Sequence, residues 1–187
     1  MKNLKEIIKI GVILFAITAV SALLLAVVNK VTAPKILKNQ TEKTYASMSE
    51  ILPAAYDFEV IDVKEASNIK EAYKALDSSG LDVGYCIIST AFGYGGELSV
   101  LTAISENKVV GIEILSHSET PGLGAKATEP EFKDNFTEKT SGIKVVKKNA
   151  KENEINAMSG ATITSTAVTD CVNAALEFAS EVEKNEK

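Results

Sequence analysis

Residues 83–116 read VGYCIISTAFGYGGELSVLTAISENKVVGIEILS. Three β-rich runs stand out in this stretch: Val83 to Thr90, Glu97 to Ser105 and Lys108 to Ser116. They are separated by Gly93-Tyr94-Gly95-Gly96 and by Glu106-Asn107-Lys108, both turn-like. Short turns between successive strands make antiparallel neighbours, so the stretch predicts an antiparallel meander.

Downstream, residues 128–136 (TEPEFKDNF) read as a helix start, with Thr128 as a possible cap and Pro130 in the first turn. Ile143 to Lys147 reads as another strand. The chain closes with a helix from about Thr164 to Lys184. Its apolar stripe uses Val168, Cys171, Val172, Ala175, Phe178, Ala179 and Val182, spaced at three and four. Strands first and a packed helix last indicate an α+β domain. Upstream, 57–64 and 69–76 read either as two short strands or as a strand and a helix. Residues 34–51 read as a polar helix, with Pro53 ending it.

The N-terminal part is different in kind. From Ile10 to Asn29 no residue is charged, and Leu, Val, Ala and Ile dominate. At about 1.5 Å rise per residue, roughly 20 residues cross a bilayer core, and a backbone in lipid must satisfy its own hydrogen bonds. A retained transmembrane helix is therefore expected over 10–29. A cleaved signal peptide would have a shorter apolar core. The nearest small-x-small site, Val31-Thr32-Ala33, is followed by Pro34, a poor neighbour for cleavage. Lys2, Lys5 and Lys9 precede the helix; Lys30, Lys35 and Lys38 follow it. The α-amino group tips the positive-inside balance toward a cytoplasmic N-terminus (1–9), with the rest outside. The resulting division is an anchor at 10–29, a helical linker at 30–56 and a domain at 57–187.

Charge narrows the partners. The 187 residues carry a net −5, and residues 31–187 hold 24 acidic and 16 basic residues. An acidic domain argues against nucleic acid and against adsorption to anionic lipid. Every basic residue is a Lys; Arg, the usual bidentate clamp for phosphate, is absent. A phosphate-bearing ligand must then be held by backbone amides, Lys, hydroxyls or a covalent bond. Cys86 and Cys171 match no metal spacing and read as small buried apolar residues.

Two clusters carry possible chemistry. Ser159-Gly160-Ala161-Thr162-Ile163-Thr164 lies where the last helix begins. Free N–H groups and the positive end of the helix dipole gather there, so the place suits an anion. Hydroxyls before a helix are also common caps, and the residues alone leave both roles open for Thr162. The segment is neither a nucleophile elbow nor a P-loop. The second cluster is His117-Ser118-Glu119-Thr120-Pro121-Gly122-Leu123-Gly124, a shaped loop directly after a strand and home of the only His. No Cys, Asp or second His near His117 in sequence completes a metal site, and no side chain is expected to be catalytic.

Taken together with the anchor, these clusters resemble the FMN-binding G subunit of the Rnf electron-transport complex. They are also similar to the C subunit of the Na⁺-translocating NADH:quinone reductase. The resemblance rests on the N-terminal span, the Gly93-Tyr94-Gly95-Gly96 turn, the HSETPGLG loop and the SGATITS segment. It implies that a flavin transferase joins the FMN phosphate to the Thr of an [S/T]-G-A-T motif, here Thr162. The surrounding Ser159, Gly160, Ala161, Ile163 and Thr164 would then border the phosphate. The HSETPGLG loop would border the flavin ring, with Glu119, Thr120, Gly122 and Leu123 as contacts and Tyr94 from the glycine turn. The family often has Asp six residues before the modified Thr; here Asn156 stands there and removes a negative charge.

The resemblance further implies an electron-relay subunit of a membrane-bound, ion-translocating ferredoxin:NAD oxidoreductase. Its partners would be the other membrane and iron–sulfur subunits, the transferase and membrane lipid. Nicotinamide is not expected on this chain, since no G-x-G-x-x-G stands between a strand and a helix. Two rivals remain on the residues alone: a free-standing extracytoplasmic flavin reductase, and a non-redox flavin-binding sensor domain.

Overall fold

The computed structural model describes residues 2–63 and 68–185; residue 64, the end of the 57–64 run, lies outside them. The chain divides into two compact units, 1–44 and 45–187.

The first unit is helical. Helix α1 (Lys2–Ile51) begins here and continues through Pro34 without a break. The sequence suggested two helices, an apolar one and a polar one from residue 34; the structure joins them. Proline costs a helix one internal hydrogen bond and a clash with the carbonyl four residues back, and α1 accommodates both. The apolar side chains from Leu4 to Val28 are half or more exposed, and none of the most apolar window is buried by protein. Hydroxyls in this stretch turn back onto the helix: Thr18 donates to Leu14 O at 3.1 Å and Ser21 to Ile17 O at 2.9 Å. With its hydroxyls turned back on itself and no charge from Ile10 to Asn29, this helix is long and apolar enough to cross a membrane.

The second unit is built on a sheet in strand order β1-β2-β3-β4-β5, antiparallel throughout. The strands are β1 (Asp57–Ile61), β2 (Ile69–Leu76), β3 (Asp82–Phe92), β4 (Glu97–Ser105) and β5 (Lys108–Ser116). The ambiguous 69–76 run is thus a strand. The β4–β5 turn places Glu106 and Asn107 at φ 51° and 60°, the left-handed pair of a tight hairpin.

β3 and β4 are nearly continuous apolar runs because both faces of the sheet are covered. Tyr85, Ile87, Leu98, Val100 and Ile104 face helix α3 (Thr162–Asn185), which brings Val168, Cys171, Val172, Ala175 and Leu176. Cys86, Ile88, Leu101 and Ala103 face the other way, onto Met48, Leu52, Phe58 and Tyr73. Each large side chain buried this way contributes about 1.5–3 kcal/mol. Met48 and Leu52 are buried, so the compact unit starts at Tyr45, inside what the sequence read as a linker to residue 56. Tyr45 stacks edge-on against Phe58 and Tyr73.

The connection from β5 to α3 holds short helical turns at Gly124–Thr128, Pro130–Lys133 (α2) and Asp134–Phe136. Thr128 does not cap α2. The flanking residue is Glu129, without a side-chain cap, and the Thr128 hydroxyl donates to Ala125 O at 2.9 Å within the preceding turn. A local carbonyl within reach outcompetes the helix amide. The strand at 143–147 is β6 (Lys144–Val146), and it pairs in parallel with β7 (Glu154–Asn156). Asn173 of α3 fixes this pair to the helix, accepting from Gly142 N and Ile143 N and donating to Ile143 O.

Candidate functional site

Three segments far apart in sequence meet at one end of the sheet. They are the Gly93–Gly96 turn between β3 and β4, the loop after β5 and the first turn of α3. Between them lies a cavity of about 470 Å³, within the range of roughly 300–1,000 Å³ usual for small-molecule sites. Of the residues expected there, Tyr94, Glu119, Thr120, Leu123, Gly160, Ala161, Thr162, Ile163 and Thr164 line it. Gly122 does not. Ser159 opens instead onto a separate groove of about 340 Å³ that also holds Asn156, Lys126 and Phe132.

Glu119 joins the three segments. Its side chain is buried. Oε1 accepts the Gly95 N–H at 3.1 Å and Oε2 accepts the Thr164 hydroxyl at 2.9 Å. The backbone makes room on both sides: a methyl group on Gly93 would overlap Oε1, and one on Gly124 would overlap Oε2. The loop is shaped further by His117, whose Nδ1 accepts the Glu119 N–H at 3.2 Å. His117 thus holds its own turn and is absent from the cavity wall. Sequence reasoning proposed Glu119 as a ring contact and missed this tie. The glycines spaced around it were the available signal.

The start of α3 sorts its hydroxyls. Ser165 donates to Ala161 O at 2.9 Å and accepts the Met158 N–H at 3.0 Å, and both it and Thr164 are buried. Thr162 is the first helical residue and is exposed, and its hydroxyl has no hydrogen bond among the described residues. The first amides of a helix also lack internal partners. Around this point stand Tyr94, Ile163 and Leu123, exposed to 75%, 56% and 46%. Asn156 lies on β7, and its Oδ1 accepts the Ala150 N–H at 3.1 Å, holding the turn before β7. The cysteines are free, buried and apart from the cavity; burial pushes both thiols up to about 12.

Residues 93–177 match the model of the FMN-binding domain, and residues 1–51 match that of the RnfG N-terminal region. The chain is 37% identical over 186 residues to the G subunit of the ion-translocating oxidoreductase complex of Methanosarcina acetivorans, covering 96% of this chain and 98% of that one. It is 40% identical over 190 residues to the G subunit of the Na⁺-translocating ferredoxin:NAD⁺ oxidoreductase complex of Acetobacterium woodii, covering 92% and 91%. The chain belongs to the family of G subunits of ion-translocating oxidoreductase complexes. Its fold is that of the crystal structure of Shewanella oneidensis NqrC, with a TM-score of 0.52 at 21% identity over 66% of each chain.

For a G subunit of this family, the FMN-binding region is well placed: residues 93–177 contain all three segments that wall the cavity. The residues present fit FMN. A helix start with unpaired amides and an unbonded hydroxyl suits the phosphate, and the exposed Tyr94, Leu123 and Ile163 offer apolar surface to a flat ring.

Proposed function

We propose that this chain relays electrons within a membrane-bound, ion-translocating ferredoxin:NAD oxidoreductase complex, through FMN joined by its phosphate to Thr162 Oγ1. The observation that carries the attachment is the sorting of hydroxyls at the α3 start. Thr164 and Ser165 are buried and bonded within the chain, whereas Thr162 is exposed and unbonded at the cavity mouth.

In this reading the amides of the first helical turn face the phosphate, and the dipole of α3 favours its charge. That arrangement suits a chain without Arg. Tyr94, Leu123 and Ile163 orient the ring by apolar contact. Bound flavin supplies the redox chemistry; the protein supplies position and electrostatics. A covalent bond also keeps the cofactor on an extracytoplasmic domain, where a dissociable flavin would be lost. The N-terminal Lys residues support that sidedness, and α1 supplies the anchor in lipid. The partners are the other membrane and iron–sulfur subunits, and a flavin transferase performs the attachment. The ferredoxin:NAD⁺ activity for which the Acetobacterium woodii complex is named supports the same assignment here.

The full chain made together with a flavin transferase is expected to gain the mass of one FMN less one water. It is also expected to fluoresce as a denatured gel band under ultraviolet light. An unchanged mass sinks the covalent reading, and added mass retained in Thr162→Ala sinks the site.

A further inference from the structure

Glu119 is a carboxylate in an unusual setting. It is 7% exposed, and among the described residues it is paired with no Lys. Its two oxygens are held by one amide and one hydroxyl, in a socket that the absent side chains of Gly93 and Gly124 leave open. Burying a charge without a counter-charge is costly. A carboxamide would fill the same volume without that charge.

The cost is incurred on the wall of the cavity bordered by Thr162. We infer that Glu119 is a positioning residue that also sets the reduction potential of the cofactor in this cavity, its negative charge disfavouring the added electrons. This rests on the flavin reading above. Two observations separate the charge from a mere tie. First, both hydrogen bonds come from neutral donors, which soften the charge without cancelling it. Second, the low-dielectric surroundings that make the charge costly also extend its field into the cavity. Thr164 is the second part of the device. Its hydroxyl is the one side-chain donor to the carboxylate among the described residues, so it sets how much of the charge the cavity feels.

The test uses the full chain co-produced with a flavin transferase, with the midpoint potential read spectroscopically on the flavin-bearing fraction. Glu119→Gln keeps the shape and removes the charge. Its potential is expected to become more positive by at least a tenfold change in the ratio of reduced to oxidised flavin, about 30 mV for a two-electron couple. Thr164→Val keeps the charge and removes its donor; its potential is expected to move the opposite way. A more positive potential in Glu119→Gln with a more negative one in Thr164→Val supports the inference, and the reverse pair overturns it. An unchanged potential in Glu119→Gln overturns it, as do shifts of the same sign in both variants, which would mark a structural disturbance. Should Glu119→Gln yield no flavin-bearing protein, Thr164→Val decides alone: a more negative value supports the inference, and any other value overturns it. A parent chain without flavin would instead overturn the cofactor reading, so the two failures are distinct.

Discussion

At one end of the sheet, the β3–β4 turn, the loop after β5 and the start of α3 enclose about 470 Å³. At the other end, the beginning of β3, the close of β4 and the last turns of α3 enclose a larger cavity of about 730 Å³, lined by Asp82, Tyr85, Ser105 and Glu183 among others. The larger space is chemically quiet. Ser105 donates to Val83 O at 2.9 Å, the Gly84 N–H goes to Asp82 at 2.9 Å, and Asn107 donates to Glu183 at 3.1 Å. The polar groups in these bonds hold hairpins and the helix end together. At the smaller cavity Thr162 is left unspent, beside exposed apolar side chains. On the proposed reading, volume does not mark the site; an uncommitted hydroxyl beside apolar surface does.

The largest expected effect would break the comparison outright. Thr162→Ala should abolish covalent flavin while leaving the fold intact, since the side chain is exposed and bonded to nothing described. Mass spectrometry and thermal melting of the full chain check the two halves. Flavin retained after this change would remove the distinction between the ends.

A pair of glycines sharpens it next. A methyl on Gly124 would overlap Glu119 Oε2 and come within 2.8 Å of Thr164 Oγ1. At the far end, a methyl on Gly84 would overlap the Ile104 carbonyl oxygen, at a φ of +148° that side chains disfavour. Each alanine should cost about 1–3 kcal/mol, and Gly84→Ala the more, because backbone yields less than a side chain. The consequences should differ: flavin per folded molecule falls in Gly124→Ala and stays at the parental level in Gly84→Ala. Equal losses would mean that the two ends are not independent.

These predictions also show which parts were legible in sequence. The meander was readable because its turns carry local signals, and α3 because its apolar stripe is periodic. The site loops were readable as a helix start and a glycine-rich bend after a strand. The socket around Glu119 was not. It depends on clearances between Gly93, Gly124 and a side chain from a third segment, and no local pattern encodes a clearance. β7 escaped because a three-residue strand in a parallel pair has no alternation to detect. Pro34 misled because an apolar helix can carry a proline where propensity alone would end it.

A smaller effect is expected at the quiet end. Ser105→Ala removes one part-buried hydrogen bond to Val83 O. It should lower stability by about 1 kcal/mol and leave both flavin content and midpoint potential unchanged. A shifted potential would show that the far cavity reports to the near one.

The last effect, of similar size, lies between the ends and has the opposite sign. Thr102 sits in the middle of β4, flanked by Ile87 on β3 and Ile112 on β5, and it is fully buried. It alternates with Val100 and Ile104, so it shares their face, the one covered by α3. Ser89, also buried, donates its hydroxyl to Cys171 O on α3 at 2.9 Å, but the Thr102 hydroxyl has no partner among the described residues. An unsatisfied buried hydroxyl costs about 1–3 kcal/mol. Valine keeps the branched shape that suits a strand and replaces the hydroxyl with a methyl. Thr102→Val should therefore stabilise the domain by about 1 kcal/mol, raising its melting temperature by about 2–4 °C. Flavin attachment should not change, because the position belongs to neither cavity. A lowered melting temperature would mean that the hydroxyl is bonded in solution, and that the middle of the sheet commits its polar groups as fully as the quiet end does.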